Sequence, residues 1–333
     1  MANPVPMAEV RRGEFLECTH LGHAVICDEN GEIVGAWGNP QAVILPRSSC
    51  KMIQALPLVE SGAAEAAGLA DEHLALACAS HNGARIHTER VARWLKDLGL
   101  GEADLRCGAH RPRDEEAAFA LIRARETPCQ IHNNCSGKHT GFLTLGRHLG
   151  AGPEYVEPDH PVQRAVRAAF EEVTGTEGLG HAIDGCSAPN FATTLHGLAR
   201  AMAFFASARA DGDARHRAAH RLVGAMTAFP ELVAGEGRAC TELMRAMGGR
   251  AAVKTGAEGV FVAILPEQRL GIALKIADGA TRASECAIAA LLVRLGVLEA
   301  DHPATRRRLN ALQRNWRGLE TGVLRAAEGF AGW

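Results

Sequence analysis

Ser48 and Lys51 stand three residues apart in the run Pro46-Arg47-Ser48-Ser49-Cys50-Lys51. Apolar positions follow at helical spacing, namely Met52, Ala55, Leu56 and Val59. On a helix, a separation of three brings two side chains onto one face. A serine hydroxyl is a poor nucleophile until a base takes its proton. A lysine can be that base once burial or a neighbouring cation lowers its pKa. The first turn of a helix also turns free N–H groups toward a developing oxyanion. An ordinary helix start with a solvated lysine has the same spacing, so composition has to separate the two readings. The chain has 36 basic residues, and its only lysines are Lys51, Lys96, Lys138, Lys254 and Lys275. Arginine keeps its proton in proteins and lysine can lose it. A lysine retained in so arginine-rich a chain is a candidate for chemistry that needs a neutral amine. Ser49 and Cys50 are rival nucleophiles by proximity, without the same spacing to Lys51.

Two further polar runs emerge from apolar segments. Ser80-His81-Asn82-Gly83 follows the run from Leu74 to Ala79, and Lys254-Thr255-Gly256 ends a short strand-like stretch. Glycine there permits close backbone approach to a ligand. Taken singly, these read as well as a turn and a strand end. In order, Ser-x-x-Lys, Ser-x-Asn and Lys-Thr-Gly resemble the motif trio of penicillin-binding proteins and serine β-lactamases. That resemblance implies an α+β fold in which a helix carrying the nucleophile packs beside an antiparallel sheet. It is limited to three short motifs: the first two lie close together, and no counterpart of a deacylating glutamate is found.

A fourth run, His132-Asn133-Asn134-Cys135-Ser136-Gly137-Lys138-His139-Thr140-Gly141, is dense in reactive groups, and Asp184-Gly185-Cys186-Ser187-Ala188-Pro189 follows later. Cys135 and Cys186 could give two thiolates to zinc, with His132, His139 and Asp184 as further ligands in reach of the argument. Spacing alone does not decide it, because a Cys-x-x-Cys pair is absent.

With this fourth run, the chain resembles the rhizobial-type (class 3) L-asparaginases along nearly its whole length. The resemblance implies two serine–lysine pairs facing one pocket, Ser48 with Lys51 and Ser80 with Lys254. It implies zinc held by Cys135, Cys186 and Lys138, with Asp184 near the metal, and a homodimer. The activity implied is hydrolysis of the side-chain amide of L-asparagine through a seryl acyl-enzyme, with zinc supporting substrate binding. Arg47, His139 and Asn82 are the candidates for holding the substrate. Two alternatives stay open: an acyl-serine enzyme of the penicillin-binding or β-lactamase kind, and a non-catalytic zinc- or amino-acid-binding module.

These residues need a scaffold, and the pattern outlines one. Gly22–Cys27 and Glu32–Trp37 flank the turn sequence Asp28-Glu29-Asn30-Gly31, a hairpin signal. Leu74–Ala79 reads as a buried strand or helix segment. Helices are expected over residues 91–98, 115–124, 161–173, 191–208, 215–228 and 241–247. Strands return at 253–255, 259–265 and 270–276, before a helix over 282–295. Strands at both ends around a helical middle predict one α+β domain over residues 1–333, its sheet joining the terminal parts.

Whole-chain properties narrow the function class. A net charge of -2 argues against nucleic acid or an anionic membrane as the main partner. No apolar stretch is long enough to span a bilayer, and the N-terminal run lacks a charged start before an apolar core. With ten scattered cysteines, the expectation is a cytoplasmic protein with reduced thiols.

Overall fold

The computed structural model describes residues 3–332. Its strands are β1 Val5–Arg12, β2 Phe15–Cys27, β3 Ile33–Trp37, β4 Val43–Ile44, β5 His181–Ile183, β6 Pro189–Phe191, β7 Thr193–Thr194, β8 Ala252–Thr255, β9 Val260–Leu265, β10 Leu270–Ile276, β11 Ala311–Arg314 and β12 Glu320–Ala326. Its helices are α1 Lys51–Glu60, α2 Ala63–Ala66, α3 Asp71–Ala77, α4 Arg85–Asp97, α5 Glu115–Ala124, α6 Ser136–His148, α7 Pro161–Thr174, α8 Leu195–Ala206, α9 Ala214–Ala228, α10 Pro230–Val233, α11 Ala239–Ala246, α12 Thr281–Arg294 and α13 Pro303–Arg306.

The main sheet runs β11-β12-β1-β2-β10-β9-β8, with β3 also paired to β2. Every pairing in it is antiparallel. The two ends of the chain meet inside it, with Ala8 opposite Ala326 and Val10 opposite Leu324. The expected hairpin forms β2 and β3, and Asp28 Oδ1 closes its turn by accepting from the N–H groups of Asn30 and Glu32. β9 is buried at every position, so the sheet is covered on both faces there. α8 packs on β10 and β2, while α12 packs on β1, β9, β10 and β12. Gly271 is required beneath α8: a Cβ there would lie 2.0 Å from the backbone N of Ala203. The α+β architecture of helices on an antiparallel sheet is thus as expected.

α1 lies among α3, α6, α7 and α9, and its residues Lys51 to Leu58 are all buried. α6 is buried from Ser136 to Gly146. A helix enclosed on every side has no polar face to set a period, so the sequence pattern passes over it. It approaches α3 so closely that a Cβ on Gly137 would sit 2.4 Å from the carbonyl oxygen of Leu76. Leu74–Ala79, open between strand and helix in the sequence, lies largely in α3. The helix expected over 191–208 starts only at Leu195; Phe191 lies in β6, and Thr194 caps the helix by accepting from Gly197 N–H at 2.9 Å. β11 and β12 were not anticipated, because their exposed and half-buried residues carry little apolar alternation. Among the described residues no helix is long and apolar enough to cross a membrane.

Candidate active site

Arg47–Cys50 forms a 3-10 turn that runs directly into α1. Arg47 takes a left-handed φ of 54°, a conformation a side chain adopts at some cost. Three contacts hold it there. Its Nε and Nη2 donate to Asp184 Oδ1 at 3.1 and 2.9 Å, its carbonyl accepts from Cys50 Sγ at 3.1 Å, and Ser49 Oγ donates to the Pro46 carbonyl at 2.7 Å. Ser49 and Cys50 are therefore buried supports of the turn. Burial pushes the Cys50 thiol up to about 12, which makes it inert at neutral pH. Ser48 is half-buried, as are Arg47, Asp184, Thr255 and Gly256. Gly256 is where the strand end meets this turn: a Cβ on it would lie 2.6 Å from the Pro46 carbonyl.

Two lysines converge on one hydroxyl. Lys254 Nζ donates to Ser80 Oγ at 2.8 Å and to its neighbour's carbonyl, Thr255 O, at 2.9 Å. Lys51 Nζ donates to Ser80 Oγ at 3.1 Å, to Cys135 Sγ at 3.1 Å and to the Ala79 carbonyl. All three side chains are buried. Burial, helped by the Lys51 charge, lowers the Lys254 amine to about 7. The pairing of Ser80 with Lys254 appears as expected. That of Ser48 with Lys51 does not: among the described residues no hydrogen bond joins them, and the three acceptors around Lys51 match the three donors of an ammonium.

Two sulfurs lie beside this group, Cys135 within reach of Lys51. Cys135 caps α6 and Lys138 follows one turn later on the same face. Lys138 Nζ donates to Cys186 Sγ at 3.1 Å. Burial opposes the charge on Lys138, but the facing Cys186 and Cys135 sulfurs outweigh it and raise its pKa. The Cys186 thiol is held well below its usual range, by its neighbour Cys135 first and by the Lys138 charge next. Among the described residues no three of His, Cys, Asp and Glu cluster as a metal site. A three-ligand set therefore needs the lysine amine. Counting it, two soft sulfurs and a nitrogen converge in a dry pocket, a donor set that fits zinc once Lys138 gives up its proton. Asp184 is turned away from this set, toward Arg47 and the N–H of Gly185.

His139 is fixed by a residue the sequence reading missed. The N–H of Arg106 donates to Tyr155 Oη at 2.7 Å, and the same oxygen lies 2.9 Å from His139 Nδ1. Nε2 on the far side of the ring is buried and, among the described residues, has no hydrogen-bond partner. Burial lowers the ring to about 4, so it stays neutral at physiological pH. Tyr155 is the only tyrosine of the chain, which is the one signal that could have singled it out. Asn82, by contrast, is not brought to the lysines. Its Oδ1 accepts from Ala84 N–H at 3.2 Å and its carbonyl accepts from Arg113 and Asp114, so it builds the turn before α4. His81 is likewise structural, donating or accepting at Ser136 Oγ at 3.0 Å and stacked on His87.

A family model described as L-asparaginase II matches residues 8–326. No curated protein matches the sequence. Among solved structures, a beta-lactamase from Mycobacterium bovis is 15% identical, with 87% of this chain and 96% of that chain covered and a TM-score of 0.47. A structure of Mglu in its tris and glutamate form is 13% identical, with 91% and 64% covered and a TM-score of 0.49. A penicillin-binding protein homologue from Pyrococcus abyssi is 12% identical, with 89% and 80% covered and a TM-score of 0.34. These three likenesses are remote, and none bears on the chemistry.

Proposed function

The chain belongs to the L-asparaginase II family, and we propose that it hydrolyses the side-chain amide of L-asparagine to L-aspartate and ammonia through a seryl acyl-enzyme. The observation that carries this reading is the convergence of Lys51 and Lys254 on the buried Ser80, with the half-buried Ser48 one turn before Lys51 in the chain. In this reading Ser48 Oγ attacks the amide carbon. Its proton enters the buried chain Lys51–Ser80–Lys254, where Lys254, titrating near 7, can take it up. For Lys51 to serve Ser48, it must release one of its three present acceptors. The tetrahedral intermediate collapses as the chain returns a proton to the leaving nitrogen, giving ammonia and a β-aspartyl ester. Water then cleaves the ester by the reverse route. Arg47 and His139 would hold the substrate carboxylate or its developing charge.

Cys135, Lys138 and Cys186 would hold zinc, with Asp184 outside the ligand set. When bound there, zinc supplies positive charge that anchors the substrate. The serine–lysine chain already provides nucleophile and base, so hydrolysis does not need a metal-activated water.

One observation favours a second assignment of the nucleophile. Ser80 accepts from both lysines and so has its own hydrogen free, whereas among the described residues Ser48 hydrogen-bonds to neither. In that reading Ser80 is acylated and Lys254 is its base. The deciding experiment is a coupled ammonia assay on asparagine, glutamine and a penicillin, with the acylated serine mapped by mass spectrometry after rapid acid quench. Ammonia from asparagine with the adduct on Ser48 supports the proposal. An adduct on Ser80 transfers the role. Acylation by the penicillin alone points to the β-lactamase-like alternative. Zinc-dependent asparagine binding with no ammonia release would make the chain a binding module.

A further inference from the structure

A second cluster of reactive side chains lies on β2, three strands across the sheet from the Lys254 strand. Cys18 and His20 alternate by two on β2 and so face the same side. Asp278 comes from the turn after β10, and Arg282 from the first turn of α12. His20 Nδ1 lies 2.6 Å from Asp278 Oδ2, Arg282 Nε donates to His20 Nε2 at 3.0 Å, and Cys18 Sγ lies 3.5 Å from His20 Nε2. Arg282 Nη2 reaches the same sulfur at 3.5 Å. The arginine fixes the tautomer: Nε2 accepts, so Nδ1 carries the hydrogen and donates to Asp278. A carboxylate thus orients an imidazole, the imidazole orients a guanidinium, and the guanidinium faces a sulfur. The engaged donors of Arg282 go to a ring and a thiol rather than to a carboxylate. His20 is buried, whereas Cys18 is half-buried and Arg282 exposed. Small reagents can therefore reach the sulfur past an uncommitted cationic edge. Apart from the half-buried Cys129, the other cysteines are buried. Among the described residues the Cys129 sulfur has one hydrogen-bond contact, His132 Nδ1 at 3.3 Å.

We propose that Cys18 is a modification site that exchanges with low-molecular-weight disulfides carrying carboxylates. The thiol gives its proton to water and the thiolate attacks one sulfur of the incoming disulfide. The new bond joins Cys18 Sγ to that sulfur as the old S–S bond breaks, and the other half leaves as a thiolate. Arg282 faces the charge both before and after transfer, and its free edge attracts the carboxylates of the reagent.

The test exposes the folded full-length protein to oxidised glutathione and follows intact mass and peptide mapping. The expected product is a single glutathionyl adduct on the Cys18 peptide, removed by a thiol reductant. Arg282→Gln and Asp278→Asn should each slow its formation about tenfold or more. Cys18→Ser should remove it and leave ammonia release from asparagine unchanged. Circular dichroism checks that both slowed variants are folded, and either one suffices. An adduct on Cys129 instead, no adduct on the folded protein, or equal rates in folded variants and wild type would overturn the proposal.

Discussion

Lys51 and Lys254 share one acceptor: Ser80 Oγ lies 3.1 Å from the first amine and 2.8 Å from the second. Burial first, and next the charge of Lys51, lowers the Lys254 amine to about 7. Below that pH it is charged and cannot accept a proton. Activity, as kcat/KM, should therefore rise with pH through a midpoint near 7. Lys51→Met removes one cause of the depression and should shift that limb upward in any residual activity. The unfolded chain holds more protons than the folded one between about 7 and 10.5, so the destabilisation from this buried amine fades as pH rises across that window. Lys254→Met should accordingly raise Tm more at pH 6 than at pH 10. An acid limb unmoved by Lys51→Met would show that a different group titrates.

Ser48→Ala should lower kcat by about a thousandfold or more while leaving the fold intact. Lys51→Arg should be as damaging as Lys51→Ala, because a guanidinium cannot accept a proton. Steady-state ammonia release checks both. Full activity in a folded Ser48→Ala protein would assign the attack to Ser80.

Wild-type protein should carry about one equivalent of zinc by elemental analysis, matching one set of two thiolates and an amine. Cys135→Ser, Cys186→Ser and Lys138→Met should each empty it. Occupancy should increase with pH, since metal has to displace a proton from a lysine whose pKa is raised. Chelation should raise KM more than it lowers kcat. Undiminished zinc in Cys135→Ser would leave the proposed ligand set without support.

Tyr155→Phe removes the hydroxyl that sits between Arg106 N–H and His139 Nδ1. The His139 ring is then free to change tautomer and the Arg106 N–H loses its acceptor. Urea denaturation should show a loss of about 1–3 kcal/mol, and KM for asparagine should rise more than kcat falls. An unchanged KM would mean that His139 Nε2 plays no part in binding.

Gly256→Ala should disturb the Pro46–Cys50 turn rather than the core. The added Cβ would press on the Pro46 carbonyl at 2.6 Å, and strain of this kind costs about 1–3 kcal/mol. Activity should drop at least as far as for an ordinary surface change plus that strain, read as a fall in kcat with the sheet still formed by circular dichroism. Wild-type kcat would show that the Pro46–Cys50 turn can shift without consequence.

Much of the site was legible because its chemistry depends on scarce residue types at short spacing. Lysine rarity marked Lys51, Lys138 and Lys254, and all three are buried. Strands and amphipathic helices with one wet face were equally legible, as at α5 and β10. α6 was not, because burial on all sides erases periodicity. The partner of Lys51 was not legible either: spacing along the chain placed it with Ser48, whereas packing turned it to Ser80. Asn82 shows the same limit in reverse, since its motif position says nothing of the turn that consumes its side chain. Tyr155 lies outside every motif, and only the folded chain brings it to His139.

The pairing of β1 with β12 sets an order of events. A nascent chain exposes the β1–β2 hairpin with its first edge unfilled until residues 320–326 have been made. Its other edge waits for β10, some 250 residues away along the chain by the register of Ile26 with Ile272. The sheet therefore closes only after nearly all of the polypeptide has left the ribosome. Until then its N-terminal hairpin is an open template, and a chain stopped short of the final strand presents that edge for aggregation.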